Sequence, residues 1–488
     1  MNEPHQSVLA LARVALALAV CAPTAGFTAA PVTIGERPAI ERHLDQADID
    51  GAALSLPDLV DHGRRLFEAR FNALDGQGRP GSTGTGAART PDQPDFVRTS
   101  APDSNACSDC HNQPGSGGAG GFVANVFVLA QALDPVTMSV SAEFSDERNT
   151  LGMFGAGAIE MLAREMSNAL IAIRTRALAD ARATDLPISR PLAAKGIGFG
   201  RITVLPDGRV DPTEIEGVDW DLIIKPFHQK GAVVSIREFT NNAMNHHHGM
   251  QSVERFGAGV DPDLDGVFDE LSVGDITAVT VFQAALPAPG VVQSKYPERR
   301  KAAAEGQRRF EEIGCSTCHI PSMALESRYF SEPNPFNPPG NLQLQAVGRP
   351  FRFDLSAGPG RKHLEKVPNG GLRIRAFTDL KRHNLNDTDY DHFDNELISQ
   401  GSLVGFADPD TFTIAPEQRP TGEFLTRKLW DVGNSDPYGH RGDLTTMTEA
   451  IHFHGGEARV QRDAFFALSE RERSEIIEFL KTLRALPR

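Results

Sequence analysis

The sequence contains little cysteine, tryptophan or net positive charge. Its 488 residues include five cysteines and two tryptophans, and 64 acidic residues outnumber 49 basic ones, for a formal net charge of −15. This balance argues against nucleic acid and against anionic lipid as partners, because both attract basic surfaces. No apolar run is long enough to span a bilayer, so the sequence predicts a protein that does not cross a membrane.

Four of the five cysteines lie in two Cys-x-x-Cys-His motifs, one at residues 107–111 and one at 315–319. Two thiols at this spacing can add to the two vinyl groups of one haem, and the adjacent histidine can bind the iron. Redox dithiols or zinc hooks are a weaker interpretation, because two complete motifs by chance would be improbable. The sequence therefore predicts two covalently bound c-type haems, held by Cys107, Cys110, His111, Cys315, Cys318 and His319.

The N-terminus resembles a secretory signal peptide. Arg13 precedes an apolar run at residues 14–22, and small residues follow through Ala30. This pattern predicts removal of residues 1–30 and export to the periplasm, where c-type haems are normally attached in bacteria. Cys21 as a lipid anchor is the weaker alternative, because Val20 stands where a small residue is required.

The chain contains a degenerate internal repeat, which suggests two haem domains. A Gly-x-x-x-Phe pattern on a helical stretch precedes each haem motif, at Gly63 and Phe67 and again at Gly306 and Phe310. We predict domains at 31–289, with a large insert at 121–285, and at 290–488. The expected class is mainly α, with two cytochrome c-like domains and long loops. A hairpin is expected near 201–208, and Ser469 is expected to cap a final helix.

Several segments resemble the di-haem cytochrome c peroxidase superfamily, most closely its di-haem oxidoreductase branch, also labelled thiol oxidoreductase. They are 154–160 (FGAGAIE), 261–266 (DPDLDG), 429–433 (LWDVG) and 437–442 (PYGHRG). The resemblance implies an oxidoreductase in which electrons pass from a C-terminal electron-transfer haem to an N-terminal substrate-binding haem. It also implies an electron-donor protein of the small cytochrome or cupredoxin type, and a small oxidant such as peroxide.

The resemblance also suggests a second axial ligand for the C-terminal haem. Members of the superfamily carry a methionine fourteen residues after the histidine that corresponds to His440, and here that offset lands on His454. We therefore expect the iron to be bound by His319 and His454, with a lower potential than Met ligation would give. His452 and Met447 are alternatives, and Trp430 is expected beside this haem.

The segment 235–250 resembles the part of the family that faces the substrate side of the first haem. Gly249 stands where peroxidases carry a glutamate that assists O–O cleavage. Histidine can supply the missing acid–base group, so we predict catalytic roles for His246, His247 and His248, with His228 as a further candidate. Ligation of the iron by one of these histidines, or a solvated polar turn, are the alternatives.

A calcium site is predicted at Asp261, Asp263, Asp265 and Asp269. Acids at positions 1, 3, 5 and 9 around Gly266 follow the pattern of a calcium-binding loop. Position 12 is Ser272, where an EF-hand requires glutamate. The alternative is a solvated acidic turn.

The preferred function is therefore a peroxidase-like, haem-dependent oxidoreductase of the periplasm. A non-catalytic di-haem electron-transfer cytochrome remains the alternative, favoured by the loss of the glutamate but not by the large insert. A third possibility keeps the fold and changes the chemistry, as in relatives that oxygenate polymers or modify a partner protein.

Overall fold

The computed structural model describes residues 34–78, 104–121, 123–125, 147–261, 263, 265–357, 364–387 and 422–485. The chain divides into two units, Met1–Arg37 and Pro38–Arg488, and the described helices and strands all lie in the second. The predicted signal peptide lies outside the described residues.

The helices in the described part of the chain are α1 (Gln46–Asp50), α2 (Leu56–Glu68), α3 (Cys107–Cys110), α4 (Ala156–Thr184), α5 (Ile236–His248), α6 (Val253–Phe256), α7 (Val273–Ala284), α8 (Pro297–Glu312), α9 (Met447–His452), α10 (Arg459–Ala467) and α11 (Glu470–Leu480). The strands are β1 (Val123–Asn125), β2 (Glu147–Asn149), β3 (Ile188–Ala194), β4 (Ile197–Val204), β5 (Val210–Asp211), β6 (Gly290–Val291), β7 (Met323–Leu325), β8 (Tyr329–Glu332), β9 (Phe351–Asp354), β10 (Glu365–Lys366), β11 (Leu372–Ile374), β12 (Arg382–Asn384), β13 (Glu423–Leu425) and β14 (Leu483–Arg484).

The prediction of a mainly α fold was wrong. Helices account for 37% of the described residues and strands for 15%, and the strands form several small sheets. The sheets have the orders β1-β2, β3-β4-β5, β14-β6, β10-β11-β7, β8-β9 and β12-β13, and every pairing is antiparallel. Many of these strands have only two to four residues, too few to show the alternating pattern from which a strand is predicted.

The expected hairpin is present, as β4 and β5 joined by a turn at Asp207 and Gly208. The expected final helix is α11, which begins with a capping box between Ser469 and Glu472. The domain boundary near 287–290 stays a prediction. Among the described helices, none combines the length and the apolar character needed to cross a membrane.

Two helix pairs of the same design stand beside the two haem motifs. Helix α2 packs on α7, and α8 packs on α11. A Cβ atom on Gly63 would lie 2.0 Å from the carbonyl oxygen of Ala278, and one on Gly306 would lie 1.8 Å from that of Glu475. Glycine is therefore required at both crossings, which explains the first residue of each Gly-x-x-x-Phe repeat.

The phenylalanine of each repeat joins its helix pair to the haem motif. The ring of Phe67 lies 6.3 Å from that of His111, and the ring of Phe310 lies 6.3 Å from that of His319. Phe67 also contacts Phe282 of α7, and Phe310 contacts Phe479 of α11. The repeat in the sequence thus corresponds to a repeated arrangement of helix pair, phenylalanine and histidine.

A carboxylate at the start of α7 anchors the N-terminal part of the second unit. Asp275 forms a capping box with Ser272, and its two oxygens lie 2.6 Å from Nδ1 of His43 and 2.8 Å from Nε2 of His62. The hydrogen bond that His43 donates to Asp275 raises the pKa of His43. Burial alone would raise the pKa of Asp275, but the hydrogen bonds from both histidines outweigh it and lower the pKa to about 2.

Buried ion pairs hold the N-terminal end of α5. Arg237 is fully buried and contacts Glu254, and its Nε donates to Oε1 of Glu332 at 2.5 Å. The backbone N–H of Ile236 donates to Oε2 of Glu160 on α4 at 2.8 Å. Removing one partner of such a buried pair leaves an uncompensated charge, so this end of α5 is fixed in position.

Candidate haem sites

The second Cys-x-x-Cys-His motif lines a cavity of about 270 Å³. Cys315, Cys318 and His319 lie on its wall together with His454, which follows α9. Nδ1 of His319 lies 3.1 Å from the carbonyl oxygen of Phe377, and Nδ1 of His454 lies 2.7 Å from that of Ala450. A carbonyl can only accept, so both Nδ1 atoms carry hydrogen and each Nε2 carries the lone pair with which a neutral imidazole binds a metal.

The separation of the two imidazoles fits an iron between them. Two metal–nitrogen bonds of about 2 Å, with about 1 Å from each nitrogen to its ring centre, separate opposed imidazoles by roughly 6 Å. The ring centres of His319 and His454 are 6.5 Å apart. Burial lowers the pKa of His319 to about 4 and also lowers that of His454. Both rings are thus held in the neutral form that binds metals.

The other residues expected near this haem occupy different positions. Met447 and Trp430 line the cavity, and the indole of Trp430 packs on Gly155, where a Cβ atom would lie 2.4 Å from the ring. His452 packs instead on Phe453 and Phe466, with ring centres 5.2 and 5.4 Å away. Of the three candidates for axial ligand, His454 is therefore the one that faces His319.

Cationic side chains that the sequence did not indicate also line the second cavity. His383 lies 2.8 Å from Asp379 and 2.7 Å from Glu457. Burial alone would lower its pKa, but hydrogen bonds to Asp379, Cys318 and Glu457 outweigh burial and raise the pKa to about 11. Arg427 lines the same cavity, so the site provides positive charge that suits the carboxylates of a haem.

The first Cys-x-x-Cys-His motif lines a separate cavity of about 150 Å³, which includes Cys107, Cys110 and His111. Nδ1 of His111 lies 3.2 Å from the carbonyl oxygen of Gly118, which again leaves Nε2 available. Burial lowers the pKa of His111 to about 4, and the charge of His247 contributes to the decrease. The donor set therefore fits a haem at this position too.

The buried thiols argue against redox dithiols. None of the four described cysteines forms a disulfide. Burial raises the pKa of Cys107 and of Cys315 to about 12, so neither thiol is activated as a thiolate. Reactive cysteines have lowered pKa values, and these two do not.

The histidines of α5 are not equivalent. His247 and His248 both line the first cavity. His248 is buried, its Nδ1 lies 2.8 Å from the carbonyl oxygen of Ser104, and its Nε2 lies 3.2 Å from Sγ of Cys107. Both of its ring nitrogens are thus engaged at the edge of the motif. Nothing is described for the side chain of His246, and His228 lines the cavity with its ring 5.2 Å from Phe239.

Gly249 has a structural role where the peroxidases carry glutamate. It caps the C-terminal end of α5 with φ of +67°. A Cβ atom there would lie 1.9 Å from the carbonyl oxygen of Gly78. A glutamate could not occupy this position without moving the backbone of both segments, so the loss of the acid is built into the local fold.

A wall of four residues separates the two cavities, and the sequence did not indicate it. Asn149, Leu151, Gln229 and His440 line both cavities. His440 is buried, and its Nδ1 lies 3.0 Å from Oε1 of Gln229. His440 belongs to the segment 437–442, which resembles the family. Its partner Gln229 is 211 positions away, so no local sequence pattern could have predicted this contact.

The structure brings together three of the four acids predicted to bind calcium. Carboxylate oxygens of Asp261, Asp263 and Asp265 lie within 4.8 Å of one another. Asp269 is exposed and accepts a hydrogen bond from the backbone N–H of Gly259 at 2.7 Å. Burial raises the pKa of Glu270 to about 9, and repulsion by these three aspartates contributes.

Comparison with known families agrees with the geometry of the second site. A family described as "Di-haem oxidoreductase, putative peroxidase" matches residues 416–483, which include Trp430, His440 and His454. No curated protein matches the chain. The match supports the resemblance found in the sequence, and the family that it indicates implies haem cofactors. Over residues 416–483 the chain is therefore similar to the di-haem oxidoreductase family.

Proposed function

We propose that this protein is a periplasmic, peroxidase-like oxidoreductase with two covalent haems, in which electrons pass from the C-terminal site to the N-terminal site. The observation that carries the proposal is the difference between the two cavities. One presents two imidazoles, His319 and His454, whose ring centres are 6.5 Å apart. The other presents His111 together with a half-buried histidine, His247, on an anchored helix.

The opposed imidazoles suit a site that only transfers electrons. Bound haem supplies one-electron redox chemistry, and the protein tunes it through axial ligands and their hydrogen bonds. His319 and His454 are each oriented by a backbone carbonyl, and both belong to a packed part of the fold. Two fixed protein ligands allow a change of oxidation state with little rearrangement.

The first site suits reaction with a small oxidant such as peroxide. A general acid–base group must lie near the reacting oxygens, with a pKa near the working pH. We assign this role to His247, because His248 is engaged on both ring nitrogens by Ser104 and Cys107. His248 then acts as a positioning residue beside the thioether bond of Cys107, and His246 and His228 remain further candidates.

The partners and remaining cofactor follow from the same proposal. The electron donor is a small cytochrome or cupredoxin, as the family resemblance implies, and the negative net charge favours a partner with a basic or apolar patch. Cys107, Cys110, Cys315 and Cys318 bind the haem vinyl groups. One Ca²⁺ binds at Asp261, Asp263 and Asp265.

Low-temperature EPR of the fully oxidised protein tests this function. We expect one low-spin haem from the site of His319 and one high-spin component from the site of His111. Addition of peroxide should then oxidise a reduced donor cytochrome in the presence of the protein.

The alternative function is a di-haem electron-transfer cytochrome, and the presence of His247 in the first cavity favours it, because this histidine could bind the iron. Two low-spin haems that do not respond to peroxide, before or after partial reduction, would support the carrier and refute the enzyme.

A further inference from the structure

The indole of Trp430 carries a hydrogen-bond donor that no described residue accepts. Trp430 is 4% exposed and lines the second cavity, and its Nε1 is buried without a hydrogen-bond partner in the described part of the chain. The ring is held against Gly155, where a Cβ atom would lie 2.4 Å from the indole. Buried N–H groups are normally paired. The position of Trp430 therefore indicates an acceptor that belongs to the contents of the cavity.

Two cationic side chains, Arg427 and Lys428, line the same cavity. Nζ of Lys428 donates to the carbonyl oxygen of Gly152 at 3.0 Å, which leaves N–H bonds of the ammonium for another acceptor. Lys428 thus contacts the segment 152–155, on which Trp430 packs. Burial lowers the pKa of Lys428 well below its ordinary value, and the charge of Arg427 adds to the decrease. The ammonium and the guanidinium are therefore close enough to repel each other.

The described acidic groups do not balance these two positive charges. Asp431 opposes the decrease in the pKa of Lys428, but at Arg427 burial acts alone and lowers the pKa to about 10. One oxygen of Asp431, Oδ1, already accepts from the backbone N–H of Ala485 at 2.8 Å. A desolvated charge without a counter-charge is unfavourable, so the cavity is suited to one further anionic group.

A haem attached to Cys315 and Cys318 would bring this anionic group with it, because both cysteines line the cavity and haem carries carboxylates. A carboxylate has enough lone pairs to accept from an indole N–H and from a guanidinium at the same time, and hydrogen bonds to a charged acceptor are the stronger ones. A buried water could accept from Trp430, but it would leave the charge of Arg427 without a counter-charge. A haem carboxylate satisfies both requirements.

We propose that one carboxylate of the second haem accepts a hydrogen bond from the indole N–H of Trp430 and lies against the cations of Arg427 and Lys428. This inference deepens the proposed function, since it rests on a haem at the second motif. Trp430 is then a cofactor-binding residue through its N–H as well as through its ring. A negative charge near the iron favours the oxidised state, so groups that neutralise this carboxylate raise the midpoint potential of the second haem.

The test uses infrared difference spectra of the holoprotein, recorded during a redox titration. Cells supplied with aminolevulinate that is isotopically labelled in its carboxyl group incorporate the label into the haem carboxylates and not into the carboxylates of side chains. The second haem is identified by its change in the His454→Ala variant.

Two variants remove the proposed contacts, and a third is the matched control. Trp430→Phe removes the N–H and keeps a ring against Gly155, and Arg427→Met removes a charge and keeps a long side chain. Lys428 is left intact, because its loss would also remove the cation that faces Asp431. Trp220→Phe is the control, since Trp220 is the other tryptophan of the chain and lines neither cavity.

We expect Trp430→Phe and Arg427→Met each to shift a labelled band of the second haem and to lower its midpoint potential. The reduction equilibrium should change at least about threefold, or about 30 mV at 59 mV per tenfold change. Trp220→Phe should change neither. Labelled bands that stay unchanged in both variants would overturn the proposal and leave a buried water as the acceptor, and a shift in Arg427→Met alone would overturn the role of Trp430. Neither readout requires turnover of peroxide, so failure of the proposed reaction would be recognised separately.

Discussion

Replacement of His454 by alanine should open the sixth coordination position of the second haem. The ring centre of His454 lies 6.5 Å from that of His319, close to the roughly 6 Å expected for imidazoles on opposite sides of one metal. Alanine retains only Cβ, which cannot bridge this gap. We therefore expect the low-spin signal of the second haem to be replaced by a high-spin signal in the oxidised protein.

The variant His454→Met should keep the haem low-spin and raise its midpoint potential. Axial ligands set haem potentials over a range of about 0.8 V, and a change from His to Met should account for roughly 0.1 V or more of this range. The measurement is a redox titration followed in the visible spectrum, with the EPR spectrum recorded on the same samples.

A matched control for both variants is His452→Ala, which lies two positions earlier, at the end of α9. The ring of His452 packs on Phe453 and Phe466, so its loss should leave the spectrum and both potentials unchanged. If His454→Ala retained the wild-type low-spin signal and potential, the assignment of His454 as an axial ligand would be refuted. A spectral change in His452→Ala alone would transfer the assignment to that residue.

Three further predictions concern acid–base chemistry and stability. His247→Gln should reduce peroxide turnover roughly 10²–10⁴-fold with both cysteine-bound haems retained, and unchanged turnover in steady-state kinetics would exclude His247 as the acid–base group. Arg237→Met should cost roughly 3–5 kcal/mol in urea unfolding, because Glu332 and Glu254 would remain buried without their cation. Asp275→Asn should destabilise the protein most between pH 3.8 and 6.5, the ordinary pKa values of Asp275 and of its partner His43. Because the pKa of Asp275 is lowered, its contribution to the free energy of unfolding is lost as the pH falls towards 2. Because the pKa of His43 is raised, its contribution is lost as the pH rises above 6.5. A difference in unfolding free energy between variant and wild type that does not depend on pH would contradict this account.

The features that the sequence predicted correctly depend on short, local patterns. Ser469 and Glu472 are three residues apart, and a capping box needs nothing beyond that spacing. The same holds for Gly63 and Phe67, whose spacing places both on the side of α2 that meets α7. The role of His454 stays a prediction, which rests on its offset from a segment that resembles the family; the structure places its ring centre 6.5 Å from that of His319.

The features that the sequence did not indicate depend on contacts between distant segments. Strand β7 pairs with β11, and the three residues of each carry no pattern that distinguishes them from a loop. His440 meets Gln229 across 211 positions, and His383 meets Glu457 across 74. Neither pair has a sequence signature, because hydrogen bonds between separate segments are set by the tertiary fold alone.

The two cavities differ because different segments complete the same local arrangement around each Cys-x-x-Cys-His motif. In both halves a glycine crossing, a phenylalanine and a Cys-x-x-Cys-His motif place a histidine against one face of a cavity. In the second half the chain after α9 places the ring of His454 6.5 Å from that of His319. In the first half α5 contributes His247 and His248 to the cavity wall, and His248 also contacts Cys107. The helix pair, the phenylalanine and the histidine are thus repeated, whereas the segment that completes each cavity is not, and the proposed division of roles between the two sites rests on that difference.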